Sequence, residues 1–107
     1  MKVFVVDDER IIRISLADEL RDEGFEVMEF ANAMVALRQI QSEVPDIVIT
    51  DLKMPDMDGI EFLTKIKERF PQIYVVLMTA YSTVSTAVNA MKLGAYDYIE
   101  KPFENEE

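Results

Sequence analysis

Ile47-Val-Ile-Thr-Asp51-Leu-Lys-Met-Pro55-Asp-Met-Asp-Gly59 is the stretch that decides the fold. Its opening residues are almost all apolar and do not alternate with polar ones. That pattern marks a central parallel strand covered on both faces. The strand ends on Asp51, and a long loop rather than a tight turn follows. Working outward, Val3–Phe4–Val5–Val6 runs into Asp7–Asp8–Glu9, and Ala95-Tyr-Asp-Tyr-Ile99 runs into Glu100–Lys101–Pro102. In a parallel sheet the C-terminal ends of these strands share one rim, so Asp7, Asp8, Asp51 and Lys101 converge there. Open α/β sheets place their ligand crevice at that rim.

The rest of the chain switches between strand-like and helix-like spacing. A first strand covers Lys2–Val6, and a helix follows with Ile12, Leu16 and Leu20 on one stripe, stopped by Gly24. Phe25–Phe30 reads as a second strand. Asn32 caps a helix bearing Ala33, Leu37 and Ile40 that ends before Pro45. Asp46–Thr50 is the third strand, and a helix with Phe62, Ile66 and Phe70 closes at Pro71. Ile73–Met78 is the fourth strand. Ser82 or Thr83 caps a helix carrying Val84, Ala87, Val88 and Met91, ended by Gly94, and Tyr96–Glu100 is the fifth strand. Five strands alternating with four helices predict an α/β sheet with right-handed crossovers.

Composition narrows the function. At 107 residues the chain is expected to be one domain, and no apolar run is long enough to span a membrane. Without cysteine there is no disulfide framework or thiolate metal site. No targeting segment is apparent, so a cytoplasmic location is expected. The net charge of −10, from 21 acidic and 11 basic residues, opposes direct nucleic-acid binding. The chain holds no histidine, so any imidazole chemistry has to come from a partner.

Asp7–Asp8 could simply cap the following helix, but a cap needs only one aspartate. The second places uncompensated charge beside the sheet unless a cation is present. With Asp51, three carboxylates suit Mg²⁺, which binds through few protein groups and keeps several waters. Asp51 is the candidate nucleophile, since a carboxylate can accept a phosphoryl group as an aspartyl phosphate; a third metal ligand or an Asx turn are the plainer readings. Lys101 can pair with the carboxylates and with a phosphoryl oxygen, whereas a lone lysine is ordinarily solvated. Its bond to Pro102 is a place where a cis peptide can occur. Thr79 ends the fourth strand, where its hydroxyl can donate to a phosphate oxygen or merely favour a strand. Tyr98, by itself, reads as packing.

Asp7–Asp8, Asp51-x-x-Met54-Pro55-x-x-x-Gly59, Thr79–Ala80, Tyr98 and Lys101–Pro102 together resemble the signature of a two-component response-regulator receiver domain, from Lys2 to Phe103. The resemblance implies a flavodoxin-like, doubly wound sheet in the order 2-1-3-4-5. It implies a phosphoryl group passing from a histidine kinase to Asp51. Asp8, Asp51 and the Lys53 carbonyl would hold Mg²⁺, and Asp7 would support the metal's waters. Thr79 and Lys101 would hold the phosphoryl oxygens, and Tyr98 would act as a rotamer switch with Thr79. Met78–Phe103 is most similar to NtrC-type receivers, implying an output domain in cis such as a sigma-54-type ATPase. This is a signalling role rather than turnover of a separate substrate.

Other readings fit less well. A flavodoxin needs hydroxyls and backbone amides in its first β–α loop, and Asp7–Asp8–Glu9 would repel the phosphate. A haloacid-dehalogenase-type phosphatase needs an acid two residues after its nucleophile, where this chain has Lys53. A stand-alone or phosphorylation-independent interaction module would be expected to have lost an acidic position or Lys101. The chain stops at Glu107, where a fifth helix is expected to begin, so residues 1–107 are expected to be the N-terminal unit of a longer regulator. The missing cover over the fourth and fifth strands predicts homodimerisation.

Overall fold

The computed structural model describes residues 1–80 and 84–101. Five strands form one parallel sheet: β1 (Lys2–Val6), β2 (Glu26–Phe30), β3 (Ile47–Asp51), β4 (Tyr74–Thr79) and β5 (Asp97–Glu100). Their spatial order is β2-β1-β3-β4-β5, as expected. Helices α1 (Arg10–Asp22), α2 (Ala33–Ser42), α3 (Gly59–Arg69) and α4 (Val84–Lys92) make the crossovers. The third and fourth strands lie one residue later than their apolar runs predict. Pairing of Asp51 with Met78 draws Asp51 into the ladder.

Strand alternation sends Phe4, Val6, Val48, Val75 and Leu77 to one face, where they meet Ala33, Ala36 and Ile40 of α2 and Phe62, Leu63 and Ile66 of α3. Every one of these is fully buried. The stripes expected on these two helices are therefore their core faces. Val3 and Val5 point the other way, toward the side of α1, whose buried residue is Ala17. Ile12, Leu16 and Leu20 are half-buried there, as are Ile47, Ile49 and Val76 of the sheet. Helix α4 departs from expectation: Ala90 is its buried residue, while Val84, Val88 and Met91 are exposed. At the end of α4 the Ala95 N–H donates to the Ala90 carbonyl at 3.1 Å and the Gly94 N–H to that of Met91 at 3.2 Å, a local closure around Gly94.

Local signals operate as the residues predict. Asn32 accepts from the Val35 N–H at 3.0 Å, and Gly24 and Gly94 end their helices at φ +95° and +105°. Asp58, which periodicity does not single out, caps α3 through the Glu61 N–H at 2.9 Å. Asp56 reaches across from the β3–α3 loop to the N-terminus of α2, accepting from the Met34 N–H at 2.9 Å. The expected caps Ser82 and Thr83, the Lys101–Pro102 bond and the start of a fifth helix lie outside the described residues.

Gly59 opens α3 directly beneath the end of β3. Its N–H donates to the Leu52 carbonyl at 2.7 Å. A Cβ there would lie 2.6 Å from the Asp51 carbonyl oxygen and 2.9 Å from Leu52 Cα, both backbone atoms that yield only if the strand end moves. In an open helix Gly→Ala stabilises by roughly 1 kcal/mol. Here Gly59→Ala is expected to cost about 1–3 kcal/mol instead. A thermal melt checks the sign, and a variant melting at or above the parent would show that the loop is slack.

Candidate functional site

The ends of β1, β3, β4 and β5 meet at one rim of the sheet. β1 continues into Asp7, whose N–H donates to the Phe30 carbonyl at 3.0 Å; β3 ends on Asp51; Lys101 follows β5, its N–H donating to the Thr79 carbonyl at 2.8 Å. Asp7 Oδ1 accepts from the Glu9 N–H at 2.9 Å, a local turn that leaves Asp7 buried and Asp8 exposed. The Arg13 guanidinium braces this turn from α1 by donating to the Asp7 carbonyl at 2.9 Å.

Lys101 carries its ammonium into the middle of the carboxylates. Nζ lies 3.0 Å from Asp7 Oδ2 and 3.2 Å from Asp51 Oδ2, and it also contacts Glu9 Oε1. The Lys101 and Asp7 side chains are almost wholly buried, at 2% and 1% exposure. Asp51 Oδ1 accepts from the Leu52 N–H at 2.8 Å. Burial raises the pKa of both Asp7 and Asp51 against the opposing pull of Lys101 and of backbone N–H groups. For Lys101, burial is the largest single influence and lowers its pKa, but Glu9, Asp7 and Asp51 together outweigh it and raise it well above the ordinary value. The ammonium is therefore permanently charged, while the carboxylates pay for desolvation.

Asp7, Asp8 and Asp51 each offer a carboxylate oxygen within 4.8 Å of the others. Asp7 Oδ2 is buried and, despite the ion pair with Lys101, receives no hydrogen bond in directed geometry. An all-oxygen donor set with a buried carboxylate oxygen still open to a donor fits a small hard divalent cation and its waters. A cleft of about 190 Å³ opens over the cluster, lined by Asp8, Glu9, Asp51, Lys53, Ala80 and Lys101.

Of the residues singled out from the sequence, Asp8, Asp51, Lys53 and Lys101 thus share one cleft. Asp7 and Thr79 are buried and absent from its lining. Tyr98 is half-buried and packs against the core cluster. Two contributors carry no assigned role in the sequence reading. Glu9 was visible as a third consecutive acid. Arg13 had no local signal, because its partners are the main-chain carbonyl of Asp7 and the Glu29 carboxylate on β2, 3.4 Å from Nε.

The family model for the response regulator receiver domain matches residues 3–107. The chain belongs to that family. It is 44% identical over 105 residues to the DNA-binding transcriptional regulator NtrC of Proteus hauseri, covering 98% of this chain and 22% of the relative. An NtrX-like response regulator of Rickettsia typhi is 44% identical over 108 residues, covering 99% and 23%. The chain therefore spans less than a quarter of the length of these relatives. Among solved structures, the beryllofluoride-activated NtrC4 receiver domain dimer matches with TM-score 0.91 and 39% identity, over 96% of this chain and 85% of that one. The receiver domain of NtrX from Brucella abortus matches with TM-score 0.87 and 39% identity, over 95% and 87%. The fold and the NtrC-like character expected from the sequence are borne out. Among the described residues, no helix is long and apolar enough to cross a membrane.

The raised carboxylates have a signed consequence. An acid whose pKa is higher folded than unfolded holds its proton better in the native state. Its folded form therefore loses stability as pH climbs above the unfolded value, near 3.8 for Asp51. Without divalent cations, Asp51→Asn is expected to melt above the parent at about pH 7.5, with the gap closing as the pH falls toward about 4. Mg²⁺ should raise the melting temperature of the parent and leave Asp51→Asn nearly unmoved. Thermal melts across pH, with and without Mg²⁺, check both.

Proposed function

We propose that this receiver accepts a phosphoryl group on Asp51 from a phosphohistidine of a partner histidine kinase, with Mg²⁺. The observation that carries the reading is a strand-end carboxylate with a buried ammonium 3.2 Å away, inside a cluster of aspartates that fits a divalent cation. One Asp51 oxygen attacks phosphorus and the P–N bond breaks. The electron pair leaves with the imidazole nitrogen, which takes up a proton, and Asp51 becomes an acyl phosphate. The chain's lack of histidine agrees with a donor on the partner. Asp8, Asp51 and the Lys53 carbonyl would hold the ion, with Asp7 supporting its waters. Bound there, Mg²⁺ supplies charge neutralisation for the transferring group.

Lys101 keeps its charge throughout and pairs with a phosphoryl oxygen, and the Thr79 hydroxyl takes another. Phosphorylation adds about −1.5 to −2 charges and three acceptor oxygens. Drawing the end of β4 toward them makes room for Tyr98 to turn inward, which changes the α4–β5 surface. That surface exposes Val84, Val88, Met91 and Ile99, apolar groups suited to an output domain or a second copy. The relatives named as DNA-binding regulators support an output domain in cis that acts on transcription, possessed of its own DNA contacts, with residues 1–107 as its N-terminal control unit. A sigma-54-type ATPase is the output class that the NtrC likeness favours. The charge of −10 keeps this domain itself off nucleic acid. The cytoplasm is the setting proposed for both partners.

Incubation with a small phosphodonor and Mg²⁺, followed by mass spectrometry, tests the reading. One phosphoryl group is expected, mapped to Asp51, and it should be absent in Asp51→Asn and when Mg²⁺ is chelated. Comparable labelling of Asp51→Asn would show that the nucleophile is another residue.

A further inference from the structure

Glu9 stands at the N-cap of α1, yet its carboxylate makes no cap hydrogen bond. Its backbone does the local work: its N–H donates to Asp7 Oδ1 and its carbonyl accepts from the Arg13 N–H at 3.0 Å. The side chain instead crosses the rim to Lys101, a residue 92 positions away. An ammonium has three N–H donors, and here the oxygens of Asp7, Asp51 and Glu9 surround it. Glu9 Oε1 takes a directed hydrogen bond from Nζ whereas Asp7 Oδ2, though paired, takes none, so a phosphoryl oxygen entering this shell displaces whichever partner yields most readily. Asp7, at 1% exposure, would become a buried charge without its counter-ion. Asp51 carries the phosphoryl group itself. Glu9, with its side chain 57% exposed, returns to water at least cost.

We infer that Glu9 is a placeholder, occupying on Lys101 the position that a phosphoryl oxygen takes, so that it competes with phosphorylation of Asp51. The inference rests on the phospho-acceptor reading above. Glu9 is a positioning residue in this scheme, since it acts through Lys101.

Beryllofluoride, a stable stand-in for the phosphoryl group, is titrated with Mg²⁺ into the protein and into Glu9→Gln, Glu9→Ala and Glu9→Asp. Aspartate keeps the charge but is one methylene too short for the Lys101 contact. At about 1 M salt, where the Debye length is about 3 Å, Glu9→Ala and Glu9→Asp are both expected to bind several-fold more tightly than the parent. Equal affinities overturn the placeholder. So does a gain in Glu9→Ala that vanishes with salt, which would be a long-range charge effect. Weaker binding would mean that Glu9 assists rather than competes. The ¹⁵N resonance of the Lys101 ammonium, read without phosphoryl analogue, is expected to shift in Glu9→Asp, and an unmoved resonance rejects the contact itself. If the parent binds no beryllofluoride while that resonance does shift, the phospho-acceptor reading fails together with the competition, and the contact alone stands.

Discussion

A lysine ammonium held 3.0 Å from Asp7 and 3.2 Å from Asp51 is the contact on which the rest of the rim depends. Burying an ion costs several kcal/mol unless a partner is placed with good geometry. The three residues come from the ends of β1 and β3 and the residue after β5, with β4 lying between the last two. The contact therefore forms only if four neighbouring strands hold their registers. The fully buried Phe4, Val6, Val48, Val75 and Leu77 fix those registers from one face of the sheet. Core packing and site geometry are in this sense one constraint.

The same contact explains why the cluster is poised rather than satisfied. One ammonium faces Asp7, Glu9 and Asp51, with Asp8 exposed beside them, and burial still raises the pKa of Asp7 and Asp51. A site with that residual charge attracts a cation, and a phosphoryl group arriving with it finds Lys101 already in place. Preorganisation here has a stability cost in the metal-free state, which is the usual trade at a functional site. The Gly59 helix start, pressed against the Asp51 carbonyl, holds the strand end where the ammonium can reach it.

Much of this was legible in the sequence because it is written in local patterns. Continuous apolar runs marked β1, β3 and β4, and the acids and lysine at strand ends followed from parallel topology alone. Asn32, Gly24 and Gly94 act through their own backbone neighbourhoods, so they could be read in place. What escaped notice depends on tertiary approach. The burial of Ala90 rather than the larger residues of α4 reflects which face of that helix turns to the core, which only the tertiary packing sets. Asp56 capping α2 from another loop, Arg13 binding a main-chain oxygen and Glu9 turning from its own helix to Lys101 involve partners far away in the chain or without a side-chain signal.

The central claim is that Lys101 compensates a buried carboxylate at Asp51, and a double-mutant cycle tests it most directly. Urea unfolding at about pH 7.5 without divalent cations is measured for the parent, Lys101→Met, Asp51→Asn and the double variant. Removing the ammonium alone should cost about 3–5 kcal/mol, because it strands buried charge. Neutralising Asp51 in the same molecule should restore part of that loss, with a coupling of about 1–3 kcal/mol. If the two effects instead add to within about 0.5 kcal/mol, Lys101 and Asp51 do not sense each other, and the rim is not organised around their contact.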